Sequence, residues 1–70
     1  MTLTSGRCTK WQLFNAFVAS EEIEVIASGY VIVDGIINSI SREDGSGSSF
    51  NVSLSKNGNK ELTCHVRTVD

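Results

Sequence analysis

Arg42-Glu43-Asp44-Gly45-Ser46-Gly47-Ser48-Ser49 is the stretch of this chain with the most to offer a ligand. Consecutive Gly and Ser residues can turn several backbone N–H groups into an anion-binding nest, and Arg42 would add positive charge. Glu43 and Asp44 repel that anion. No lysine stands at Walker spacing and no helix is predicted after the loop, so phosphate cradling of the P-loop kind is excluded. Glu43, Asp44, Ser46 and Ser48 offer oxygens to calcium, but without the spacing of an EF-hand. The plain reading is an exposed hairpin tip. The functional one is a loop that touches a partner through Arg42, Glu43, Asp44, Ser46 and Ser48.

The remaining reactive side chains do not assemble into a centre. Cys8, Cys64 and His65 lack a fourth metal ligand, and adjacent Cys64 and His65 point to opposite faces of a strand. The same geometry argues against a Cys–His nucleophilic pair. Asp34, Glu43 and Asp44 carry no spacing that enforces an acid–base pair. No enzymatic activity, metal or cofactor is therefore expected. Asn51-Val52-Ser53 matches a glycosylation sequon but falls mid-strand. His65 and Arg67, with Thr63, lie on the outward face of the last predicted strand, opposite Asn51 and Ser53. With Arg42 and Lys60 they offer a polar, weakly basic sheet face. Single-strand binders stack bases on aromatics of such a face, and here Phe50 points inward.

The elements that hold these residues follow from pattern. Seventy residues suit one small domain with a thin core, spanning 1–70. Such domains often recruit a partner subunit. The net charge of −2 lacks the basic excess of most nucleic-acid binders. No run approaches a membrane span, so no membrane association is expected. Met1–Arg7 lacks the order of a signal peptide, which points to a cytoplasmic chain with Cys8 and Cys64 as free thiols; in a secreted chain the two could instead close one large loop as a disulfide.

Residues 1–8 form an extended or frayed lead-in. Thr9 and Gln12 make a capping box for a helix over 9–20, whose Trp11, Phe14 and Phe17 are expected to pack on a sheet. A strand starts near Glu22 and ends at Ser28-Gly29. A long strand runs from Tyr30 to Arg42 with a bulge expected at Gly35, where alternation breaks. Phe50–Leu54 and Lys60–Val69 complete the sheet over 22–69. A three-residue loop, Asn57-Gly58-Asn59, pairs Leu54 with Leu62, Val52 with Cys64 and Phe50 with Val66, and places Asn59 in the left-handed region.

The fold class is thus α+β and β-rich: a short N-terminal helix, then a four-stranded antiparallel meander, strongly bent. Helix first and then a bent antiparallel sheet is similar to Sm-like barrels. A glycine-bent long strand followed by two shorter ones resembles the first half of an OB-fold. An open meander leaves two edges. Glu22–Ala27 carries its glutamates; Leu62–Val69 is bare and invites strand addition. The expected function is a non-enzymatic interaction module. It would self-associate as a homo-oligomer or bind a protein partner through that edge and the 42–49 loop, with a proline at Thr68 blocking the contact. The alternative is a small-barrel nucleic-acid-binding protein using Arg42, Lys60, His65 and Arg67.

Overall fold

One long strand, paired with a different neighbour along each half, carries most of this molecule. The computed structural model describes residues 1–43, 45 and 47–70. Its elements are β1 (Thr2–Thr4), α1 (Lys10–Val18), β2 (Glu22–Ala27), β3 (Tyr30–Arg42), β4 (Ser49–Ser55) and β5 (Leu62–Arg67). They form one mixed sheet in the order β1-β2-β3-β4-β5. The sheet does not close into a barrel.

The expected four-stranded meander is corrected to five strands. β1 lies in the supposed lead-in and pairs parallel with β2, Leu3 opposite Val25. Ser5 and Glu24 N–H extend this pairing to the Ile26 and Met1 carbonyls. Leu3 is buried, which is what ties so short a strand down. β2 is therefore an interior strand rather than an edge.

The helix starts as its sequence requires. Thr9 Oγ1 accepts from Gln12 N–H at 3.1 Å, and Thr9 N–H donates to Gln12 Oε1 at 2.9 Å. It ends at Val18, short of Ser20, because Ser20 turns left-handed at φ 50°. The Ser20 and Glu21 amides then reach back to Phe17 and Ala16 carbonyls, a Schellman closure. The buried face is Leu13 and Ala16, with Phe17 packed beside them. Trp11 is 73 % exposed and Val18 81 %, so the expected packing of Trp11 is corrected. Phe14 is partly covered and approaches Phe50 edge-on, at 5.5 Å between ring centres.

β3 serves two neighbours in turn. Its first half pairs with β2 through Glu22–Ile36 and its second with β4 through Arg42–Phe50. The ladder irregularities fall at Ile32 and Asn38, the residues skipped by the two registers, and not at Gly35. Gly35 is required for a different reason. Its φ is +142°, and a Cβ there would lie 2.4 Å from the Ser55 carbonyl oxygen. The end of β4 thus presses on backbone that no side chain covers. Val33, Gly35 and Ile37 follow one unbroken alternation on the core side and Ile36 faces outward, so the break in alternation expected at Gly35 is corrected: the side that faces the core changes only past the irregularity at Asn38.

β4 and β5 pair in the register that apolar alternation selects: Phe50–Val66, Val52–Cys64 and Leu54–Leu62. The loop between them turns on Asn57 (φ 53°) and Gly58 (φ 75°), with Asn59 N–H on the Lys56 carbonyl. The left-handed residue is thus Asn57 rather than Asn59, and β5 is shorter than 60–69. After β1 the chain crosses to the far end of β5. Gly6 N–H donates to the Arg67 carbonyl, Val69 N–H to the Cys8 carbonyl, and Arg67 N–H to Ser5 Oγ. This strap over Arg67–Val69 touches β5 only at its C-terminal end.

Both cysteines are free thiols, Cys8 buried and Cys64 half-buried. Burial is the largest cause raising each above the ordinary thiol range. A thiol whose folded pKa is raised contributes stability that is whole below its unfolded value. That contribution is lost as pH rises through the folded pKa, in alkaline solution. Neutral thiols are poor nucleophiles. Cys8 is expected to react with a chromogenic disulfide reagent at neutral pH at least tenfold more slowly than in urea-unfolded chain. Equal rates would show that the strap does not shield it.

Candidate functional site

The residues singled out by sequence gather at one end of the β3-β4-β5 ladder, as far as they are described. Arg42 stands opposite Phe50, Arg67 opposite Ser49 and His65 opposite Asn51. Glu43 N–H donates to the Ser49 carbonyl and closes the base of the tip loop. The Ser48 carbonyl accepts from Thr68 N–H at 2.8 Å and Thr68 Oγ1 at 3.4 Å. Glu43 Oε2 meets His65 Nε2 across the sheet face, an ion pair when the imidazole is protonated. Both side chains are about half exposed, so this contact positions the loop more than it stabilises the fold. Asp44 and Ser46 lie outside the described residues.

The outward face is polar along β4 and β5. Ser53 and Thr63 hydroxyls meet at 3.2 Å, and Asn38 bridges Ser55 and Glu61. Lys60 precedes β5, at the opposite end of the strand from Arg67. Seven residues of extended chain separate them by roughly 20 Å. The four cations expected to act together are therefore split between two ends of the sheet. His65 is engaged by a carboxylate besides.

A second polar cluster has no counterpart in the sequence reading. Lys56 Nζ lies 2.7 Å from Asp34 Oδ2 and 4.0 Å from Glu22 Oε1. These residues, with Met1, Ile23 and Glu24, line a shallow recess of about 300 Å³. The hydrogen bond to Asp34 is the first cause raising the Lys56 pKa, followed by the Asp34 charge. A lysine held protonated is neither a base nor a nucleophile. The alternation of β2 and β3 turns Glu22 and Asp34 outward, which could have flagged the cluster; the reach of Lys56 depends on where β4 ends.

Among the described residues, no group of three His, Cys, Asp or Glu side chains is arranged to hold a metal. No described helix is long and apolar enough to cross a membrane. Trp11, Phe14 and Val18 form an apolar stripe on the outer side of α1, and Tyr30, Val31 and Ile32 are exposed at the start of β3. The β5 edge is the feature with directional chemistry. Thr68 N–H turns to β4, whereas Arg67 turns its N–H and carbonyl to the strap. Alternate residues of a strand face alternate sides, so Thr63 and His65 also turn their backbone groups away from β4. No hydrogen bond among the described residues meets them there.

Comparison with protein-family models, with curated proteins and with solved structures finds no match to this chain.

Proposed function

We propose that this chain is a non-enzymatic interaction module that associates through the open edge of β5 and the 42–49 loop beside it. One observation carries the reading: Thr63 and His65 present backbone donors and acceptors that no hydrogen bond among the described residues meets, on an edge free of proline and bulge. Such an edge is a template for strand addition. The Glu43–His65 contact sets the loop against the same strand, so edge and loop can be engaged together. The separation of Lys60 from Arg42 and Arg67 gives the nucleic-acid alternative no continuous basic track to follow.

Thr68 is the wrong place to block this edge. It is buried, and its N–H holds Ser48, so a proline there would break the ladder. Thr63→Pro removes an N–H that faces away from β4, where edge strands tolerate proline. The wild-type chain, Thr63→Pro and Glu43→Lys are recovered from cell extract and compared by native mass spectrometry. The expected result is an association, with self or with another protein, that both variants lose while keeping the wild-type circular dichroism. Association undiminished in both variants, or a wild-type chain that stays bare and monomeric, refutes the module.

A further inference from the structure

We infer that the open edge of β5 takes a second copy of this chain, paired antiparallel about a two-fold axis at Thr63. The inference rests on the edge reading above and names the occupant of that edge.

In a symmetric antiparallel pair, outward-turned residues must meet outward-turned residues. Glu61, Thr63 and His65 share the outward parity, and Arg67 is already used by Ser5 and Gly6. A two-fold axis at Thr63 sets Thr63 opposite the partner subunit's Thr63, and His65 opposite the partner subunit's Glu61. Every free group between Glu61 and His65 then finds a partner. No like charges oppose, since His65 faces acid from its own Glu43 and from the partner's Glu61. On the inner face Leu62, 55 % exposed, covers the half-buried Cys64 of the partner subunit.

The neighbouring registers do worse. An axis at Cys64 drives the added strand against the strap at Arg67 and lays Leu62 over Val66, which is already fully buried. An axis at Leu62 leaves His65 facing the turn around Asn59. The Thr63 axis also lets the partner chain leave the strand direction before it reaches the strap, because β5 begins only at Leu62.

The test is native mass and crosslinking of the purified full chain. Wild type is expected at twice the chain mass, and Thr63→Pro at the monomer mass with unchanged circular dichroism. Two symmetry-related N–H bonds are lost, so the dimer weakens roughly tenfold or more. Leu62→Cys places a thiol opposite the partner subunit's Cys64, at a separation a disulfide spans. With oxidised glutathione as oxidant, this variant is expected to give a covalent dimer that wild type does not. A wild-type chain that is monomeric at about 1 mM overturns the inference. So does a dimer that Leu62→Cys fails to crosslink. If the pure chain is a monomer but a heteromeric association is still lost in Thr63→Pro, the second copy is refuted and the edge reading stands. Association indifferent to Thr63→Pro refutes both.

Discussion

Gly35→Ala is expected to remove about 3 kcal/mol or more of folding stability, from backbone strain and overpacking together. The added Cβ would sit 2.4 Å from the Ser55 carbonyl oxygen, at a φ of +142°. Backbone on both sides cannot step aside as a side-chain tip would. A 70-residue chain has roughly 3–10 kcal/mol in total, so the variant is expected to lose a large share of its stability. Urea titration followed by circular dichroism measures the loss. Gly45→Ala is the control: nothing lies within 4 Å of its Cβ position and its φ is not left-handed, so the change should be below about 0.5 kcal/mol. A Gly35→Ala midpoint within error of wild type would show that the end of β4 does not press on β3 at Gly35.

Phe50→Ala should cost about 3–5 kcal/mol. Phe50 is 1 % exposed, lies among Val52, Leu54 and Val66, and receives the Phe14 ring edge-on. Its removal opens a hole where helix and sheet meet, and the fixed register of β4 leaves the neighbours little room to collapse. Trp11→Ala, a truncation of a larger aromatic, is expected to change stability by under about 0.5 kcal/mol, because the indole faces solvent. The order of the two thermal midpoints checks both statements. A Trp11→Ala loss equal to that of Phe50→Ala would place the indole in the core.

The contrast between these aromatics shows where sequence pattern stops. Phe50, Val52 and Leu54 alternate on β4, and Leu62, Cys64 and Val66 on β5; only one register keeps all six on one face, and that register is found. The Thr9–Gln12 cap is equally local and equally legible. Around α1, however, Trp11, Leu13, Phe14, Ala16, Phe17 and Val18 leave little of the helix without an apolar residue. A wheel so filled does not say which side meets the sheet. β1 has one apolar residue and a parallel partner twenty-two positions away, so neither periodicity nor a turn announces it. The break in alternation expected at Gly35 falls instead at Asn38, where β3 skips a residue against β4. What does single out Gly35, a carbonyl from another strand, has no signature in the neighbouring residues.

The site divides the same way. His65 and Arg67 on the outer face of β5 follow from alternation, but the Glu43–His65 contact depends on how a loop settles. The edge expected at Leu62–Val69 shrinks to the stretch before Arg67, because the strap comes from the opposite end of the chain. Nothing in the composition of Ser5–Cys8 foretells that.

The strap also bears on the order of events in synthesis. Arg67 binds Ser5 and Gly6, Val69 binds Cys8, and Lys10 N–H rests on Asp70 Oδ1, contacts spanning about sixty residues. A growing chain can fold the β2–β3 and β3–β4 hairpins as they emerge. It can seat β1 on β2 early, but it cannot seat the strap from Ser5 to Lys10 until 67–70 have been made. Loop closure over so long a span is a slow step, so Cys8 and the end of β5 are the last parts to be covered. Until then the nascent chain carries a longer bare edge than the finished molecule, and it is during those moments that neighbouring copies on one message are most exposed to each other.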